Sequence, residues 1–229
     1  MKQKGVAKDL FDLYNTRFGV FERVRREKLW QVLANDFFQK YIPQSAVVLD
    51  VGAGSCEFIN SIKCGQKYAL DLNPQTKKFA AKNVKVLSRS ADEIGAIFKS
   101  KIDVVFMSNF LEHLESKEQV YNVLKQVFLA LRPGGHIMVL QPDIRLVGNE
   151  YWDFFDHKTP ITKKSAIEAL ESVGFKITDL IYPFMPYTTD TRFLPKSTIL
   201  LRIYLKIRIL QLIFGKQFFV RAQKLTRSI

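Results

Sequence analysis

Short, almost wholly apolar runs alternate along the chain with longer stretches in which apolar residues return every third or fourth position. Val47–Val51 is apolar but for Asp50, the pattern of a strand covered on both faces. Similar short runs follow at 68–72, Val84–Leu87, 102–107, 136–141, 175–182 and 217–222. Between them, 57–64, 92–99, 117–131 and 162–173 carry the helical period. Thr162 and Gly174 suit the two caps of the last helix. Strands separated by helices predict a doubly wound α/β fold, a parallel sheet with helices on both faces. Ligands of such sheets bind at the carboxyl ends of the strands.

The two ends of the chain read differently. Residues 6–40 predict two helices that end before Pro43. Leu10, Phe11, Leu13 and Tyr14 line the first; Val24, Leu29, Val32, Leu33, Phe37 and Phe38 line the second. The expected organisation is a helical cap over 1–43, an α/β domain over 44–183, a basic helical insertion over 184–215, and a final strand with its tail over 216–229. Tyr14 and Arg17 of the cap stand where they would close over a ligand.

Composition changes this picture in one respect. With 47% hydrophobic and 25% charged residues the chain is an ordinary globular one, but its net charge is +13. After Asp190 there is no acidic side chain, while nine Lys and Arg residues follow it. Such a bias implies an acidic partner: nucleic acid, an anionic membrane surface or a phosphorylated substrate. Residues 199–214 are apolar but broken by Arg202, Lys206 and Arg208, too charged for a membrane span. An interfacial helix or a lid over a lipid-linked substrate fits the pattern, and so does a helix packed on the domain with its cations solvated. The only cysteines, Cys56 and Cys64, make neither a disulfide framework nor a C-x-x-C pair, which suits a reducing cytosol. The N-terminus is charged and lacks the apolar core of a secretory signal. Nothing in the pattern specifies an oligomeric state.

The chemistry concentrates at the strand ends. Asp50-Val51-Gly52-Ala53-Gly54-Ser55-Cys56 takes the first strand through a glycine turn into a helix, where a missing β-carbon lets backbone approach a ligand. Asp71, nineteen residues after Gly52, stands where an acid accepts hydrogen bonds from ribose hydroxyls. The third strand leads to Ser90-Ala91-Asp92 and the fourth to Ser108-Asn109-Phe110-Leu111-Glu112-His113. The G-A-G-S-C-E turn lacks the third spaced glycine of a dinucleotide fingerprint, which speaks against NAD.

In this order D-V-G-A-G, A-L-D-L-N, S-A-D, S-N-F-L-E-H-L and L-R-P-G-G-H-I resemble the class I S-adenosylmethionine-dependent methyltransferases, over roughly 45–180 and on through the last strand. The resemblance implies a Rossmann-like seven-stranded sheet, mostly parallel, with its last strand antiparallel. It implies S-adenosyl-L-methionine as cofactor, with Asp50, Gly52, Ala53 and Gly54 around the methionine portion. Asp71 would hold the ribose, Leu72, Ala91 and Asp92 the adenine, and Asn109 would lie near the amino acid or methyl group. Cys56 departs from the family, many of whose members have glycine there. It is also a conceivable nucleophile, though nothing basic is assigned beside it.

For the acceptor, His157 is the candidate general base, since imidazole titrates near neutrality. Asp156 or Asp153 would orient it, and Asp143 is a second candidate base. His157 equally suits a helix-capping role. His113 reads as support for the fourth-strand loop and His136 as structural. No His, Cys or carboxylate spacing reads as a metal site. The absence of Asn-Pro-Pro-Tyr or Asp-Pro-Pro-Tyr after the fourth strand argues against exocyclic-amine and glutamine methylation. The insertion and the 109–114 and 151–157 segments resemble bacterial methyltransferases of surface-polysaccharide and glycolipid assembly. A small-molecule, glycan or lipid-linked acceptor methylated on oxygen is therefore expected, at the cytoplasmic membrane face. An RNA or DNA methyltransferase and a non-catalytic cofactor-binding scaffold are the alternatives.

Overall fold

The computed structural model describes residues 20–187 and 197–225. Seven strands form one sheet in the order β3-β2-β1-β4-β5-β7-β6. They are β1 Val47–Val51, β2 Gln66–Leu70, β3 Val84–Leu87, β4 Ile102–Ser108, β5 Leu131–Pro142, β6 Phe175–Ile181 and β7 Gln217–Lys224. β1 to β5 pair in parallel, whereas β7 runs antiparallel to both β5 and β6. The strand order reverses between β1 and β4, which opens a crevice at their carboxyl ends. This is the seven-stranded, Rossmann-like sheet with a reversed last strand that the motifs implied.

The helices among the described residues are α1 Val20–Asp36, α2 Glu57–Ser61, α3 Thr76–Phe79, α4 Ile94–Phe98, α5 Lys117–Ala130, α6 Ile144–Val147, α7 Lys163–Val173, α8 Thr198–Lys206 and α9 Arg208–Phe214. Ser116 and Thr162 cap α5 and α7 by accepting the backbone N–H groups of Gln119 and Ser165. Gly174 ends α7 at φ 107°, a conformation that favours glycine. The earlier of the two cap helices, with Tyr14 and Arg17, lies outside the described residues, as do 188–196 of the insertion.

Side-chain alternation divides the sheet into two faces. Val105 and Met107 of β4 join Leu49, Val51, Ile137 and Val139 under α4, α5 and α7. Val104 and Phe106 join Val48, Ala69, Met138 and Phe219 under α1, α2 and α8. Helix α1 contributes Leu29, Val32, Leu33 and Ala34 to that second face, and the insertion contributes Leu201 and Tyr204. The expected cap and insertion thus share one core with the sheet.

Several boundaries differ from expectation, three of them near the site or the sheet's centre. β2 stops at Leu70, so Asp71 stands just beyond the strand. α2 is only five residues long, because Ile62 turns to an extended conformation. β5 begins at Leu131 rather than at His136. The Arg132–Gly135 stretch joins it irregularly, with Gly134 at φ 78° and a register slip opposite Ile102 and Val104.

His136 has the structural role expected of it, and a pH signature. Its Nε2 lies 2.8 Å from a guanidinium nitrogen of Arg221 on β7, so the ring must accept and stay neutral. Burial first, and the Arg221 charge second, lower its pKa to about 4. The unfolded chain binds this proton near pH 6.5 and the folded chain does not. Stability is therefore complete above pH 6.5 and falls as pH drops towards 4, by about 1–2 kcal/mol after discounting the ring's partial exposure. Urea midpoints at pH 7.5 and 4.5 should differ less for His136→Gln than for the wild type. An equal difference would assign the acid sensitivity to other groups.

Candidate active site

The glycine turn after β1 is built from backbone bonds. Gly52 and Ala53 both donate to the Leu70 carbonyl, at 2.9 and 3.3 Å, which ties the turn to the end of β2. Gly52 has φ 70°, and a β-carbon on it would lie 2.4 Å from the Phe110 ring. Only glycine meets both conditions, and the close approach brings the β4 loop against the turn.

Where the family places a third glycine, Cys56 takes φ 61° and precedes α2. Its side chain is buried, with Sγ 3.7 Å from the Thr76 carbonyl oxygen. Burial, reinforced by the carboxylates of Asp50, Glu57 and Asp71, pushes the thiol up to about 12. A thiol held protonated is a poor nucleophile, so Cys56 acts as packing.

Two acids serve the turn differently. Asp50 is buried at the end of β1, with the Ile59 N–H of α2 close enough to ease its charge. Burial, then the negative charges of Glu57 and Asp71, raises its pKa well above the carboxylate range. Asp71 instead stands at the mouth. Its Oδ2 accepts from Gly54 N–H and its Oδ1 from Asn73 N–H, each at 2.8 Å. Burial raises its pKa against these two bonds. Each oxygen keeps a further lone pair for an incoming hydroxyl.

Leu72, beside Asp71, is 66% exposed and offers an apolar surface at the mouth. Ala91 is buried below the rim, and Asp92 on the rim takes hydrogen bonds from Ser90 Oγ and Gln119 Nε2. Asn109 ends β4 at φ 47°, with its N–H on the Leu140 carbonyl and its side chain exposed. A carboxylate with spare acceptors, an exposed leucine next to it and a tight glycine turn together fit an adenosine.

A second cluster forms where the loops after β4 and β5 meet. Gln141, fully buried at the end of β5, donates to Glu112 Oε2 at 2.7 Å and accepts from Leu111 N–H. The Glu112 carbonyl accepts the N–H groups of Lys158 and Thr159, which stitches the His157 loop to the turn after β4. Thr159 Oγ1 reaches the Leu114 carbonyl at 2.6 Å and Tyr151 the Thr159 carbonyl at 2.6 Å. As a result Glu112, His113 and His157 each present a ligand-type atom within 4.8 Å of the others. His157 Nε2 is 4.0 Å from Glu112 Oε1, and His113 Nδ1 lies 3.1 Å from the Asp156 carbonyl oxygen and 3.4 Å from its carboxylate. Burial raises the Glu112 pKa. His113 lies within electrostatic reach of both Asp71 and Glu112, so the cluster adjoins the mouth at Asp71.

Several expected residues are sorted by this geometry. Asp156 stands against His113, with its carboxylate 3.4 Å from Nδ1. Asp153 is exposed at the end of the short turn Gly148–Asp153. Asp143 does not fit the part of a base: it is 1% exposed, its Oδ1 accepts from Arg145 N–H and its Oδ2 from Lys163 N–H. It caps α6 and joins it to α7. Glu112 and Gln141 received no role from the sequence. Their one signal was position, polar residues at the ends of otherwise apolar β4 and β5 segments.

Residues 21–180 match the model of a family described as a methyltransferase domain. No curated protein matches the sequence. Among solved structures, a SAM-dependent methyltransferase from Archaeoglobus fulgidus is similar, with 23% identity, TM-score 0.64, and 93% of this chain and 99% of that one covered. A chain from the complex of the Haloferax volcanii Trm112 methyltransferase activator is similar at 13% identity and TM-score 0.67, over 96% and 98%. A SAM-dependent methyltransferase from Thermotoga maritima is similar at 15% identity and TM-score 0.64, over 89% and 94%.

Proposed function

The chain belongs to the methyltransferase-domain family, and from that premise we propose that it moves a methyl group from S-adenosyl-L-methionine to a hydroxyl of a small-molecule, glycan or lipid-linked acceptor. The observation that carries the reading is Asp71, anchored by Gly54 and Asn73 with Leu72 exposed beside it. Asp71 takes the ribose hydroxyls, and Leu72, Ala91 and Asp92 hold the adenine. The backbone of Gly52, Ala53 and Gly54, braced by Asp50, shapes the methionine end near Asn109.

The donor supplies a methyl group already activated on a sulfonium. The protein's work is therefore alignment and exclusion of water. The acceptor oxygen forms its bond to the methyl carbon as the carbon–sulfur bond breaks, and the electron pair stays on sulfur. A hydroxyl must also lose its proton. His157 is the group placed to accept it, with Asp156 fixing the neighbouring His113 ring. Asp143 takes no part, because at 1% exposure it is closed off from an acceptor.

The outer surface supports an acceptor or site at an anionic membrane. Ile199, Ile203 and Ile207, then Ile209, Leu212 and Ile213, are 41–66% exposed on α8, α9 and their junction. Single exposed apolar residues are ordinary, but six at helical spacing form a patch. A groove of about 670 Å³ beside it is lined by Lys40, Arg202, Lys206 and Arg208, with Asp36 the one acid. No helix among the described residues is long and apolar enough to cross a membrane. From the patch and the groove we infer a chain peripheral at the membrane face, as a cytosolic protein would be. An RNA or DNA substrate is less well served, since the exposed side chains beside these cations on α8 and α9 are mostly aliphatic.

The test is transfer of labelled methyl to nucleotide sugars, lipid-linked glycans and RNA, with and without phosphatidylglycerol vesicles. Label in a hydroxyl of one of the first two, with pelleting lost in the Ile209→Glu/Ile213→Glu double variant, is the expected result. Label in RNA would sink the acceptor class. Vesicle binding unchanged by the double variant would sink the membrane face.

A further inference from the structure

We propose that Glu112, His113 and His157 form a binding site for a divalent transition-metal cation on the acceptor side of the pocket. The inference rests on reading that corner as the acceptor site, and it changes what His157 does there.

The donor set comes first. One carboxylate and two imidazoles converge from two loops, with their ligand-type atoms within 4.8 Å of one another. Bonds of about 2.0–2.2 Å to a common four-coordinate ion put ligand atoms roughly 3.3–3.6 Å apart. The 4.0 Å between His157 Nε2 and Glu112 Oε1 is too long for a hydrogen bond and close to that spacing. The His113 and His157 rings meet edge to face, with centroids 5.0 Å apart and planes at 74°, so they aim from different directions.

The surroundings are those of ligands held in place. Gln141 Nε2 donates to Glu112 Oε2, leaving Oε1 turned towards His157. His113 Nδ1 donates to the Asp156 carbonyl, which sets the tautomer with its lone pair on Nε2. Gln141 also accepts the Leu111 N–H, so both ends of its amide fix the Glu112 turn against β5. Glu112 is 1% exposed, a buried carboxylate whose Oε1 faces His157.

The ligands also select the ion. Two nitrogens and one oxygen suit Zn²⁺ or its neighbours in the first transition row, whereas Mg²⁺ and Ca²⁺ favour all-oxygen sets. Three protein ligands leave a position for the acceptor oxygen. Coordination there lowers the cost of its proton, which leaves to solvent, so His157 acts as a ligand and no longer as the base.

The experiment is a titration of cobalt(II) chloride, as a spectroscopic stand-in for zinc, into tag-free full-length protein freed of metal with EDTA. Visible absorption bands that saturate at one equivalent and are bleached by Zn²⁺ are expected. His113→Ala and His157→Ala should each weaken Co²⁺ binding more than ten-fold, while Asp71→Ala binds it as the wild type does. Folded wild-type protein without saturable bands, or bands unchanged in both histidine variants, would overturn the site. Calorimetry with S-adenosylhomocysteine on the same samples separates the two readings. Nucleoside binding without cobalt uptake removes only the metal, whereas failure to bind the nucleoside removes the methyltransferase reading whatever the metal does.

Discussion

Asp71→Ala is expected to weaken S-adenosylhomocysteine binding at least a hundred-fold while the chain stays folded. Two hydrogen bonds from ribose hydroxyls to a carboxylate contribute roughly 1.5–3 kcal/mol each. Their joint loss, about 3–6 kcal/mol, corresponds to two to four powers of ten in affinity. The effect on folding is far smaller. Asp71 has lost hydration on burial, which offsets much of what its bonds to Gly54 and Asn73 contribute. Those two N–H groups lie in partly exposed segments, where water replaces the carboxylate. The stability change should stay within about 1 kcal/mol. Asp71→Asn, which keeps one acceptor oxygen and the shape, should fall between the two. Calorimetric titration with parallel urea unfolding reads both quantities. An alanine variant that binds like the wild type would show that the ribose lies elsewhere.

The fold was legible because a doubly wound sheet writes itself locally. Each strand is a short apolar run and each long helix carries its own period and caps, as at Thr162 and Gly174. The glycine turn was legible for a related reason: the φ of 70° at Gly52 and its close approach to Phe110 admit only glycine at that place. The Glu112–His113–His157 corner was not legible, because its members lie 44 residues apart and meet only through hydrogen bonds between two loops. Asp143 shows the converse. Its position past a strand end suggested chemistry, yet the same position is where α6 needs a cap, and the cap won. β5 exceeded its predicted start because Leu131 still finds Ile102 to pair with, despite Pro133 and two glycines after it.

Phe38→Ala should be the most destabilising of the substitutions considered, by about 3–5 kcal/mol, as for other fully buried phenylalanines. Phe38 is 0% exposed. The rings of Trp30, Phe37, Phe58, Phe106 and Phe219 surround it with centroids 5.0–6.3 Å away. These neighbours belong to α1, the residue after it, α2, β4 and β7, so one cavity would loosen the helix against the sheet at several points. Their size and shared packing leave little scope for collapse. The lost free energy should appear as a lower urea midpoint with an unchanged slope. Phe58 stacks on Phe106 at 3.7 Å and belongs to α2, the helix that follows the glycine turn. It nevertheless faces the core, while Asp71 and Leu72 face the mouth, so the folded variant should bind S-adenosylhomocysteine within ten-fold of the wild type. Binding to the folded state alone adds about 2.7 kcal/mol at a ligand concentration one hundred times Kd. Excess ligand should therefore restore most of the lost midpoint in Phe38→Ala and almost none in Asp71→Ala. Rescue of both variants would place the ligand away from Asp71. Rescue of neither would mean that the cavity reaches the pocket, and that α1 and the glycine turn form one cooperative unit.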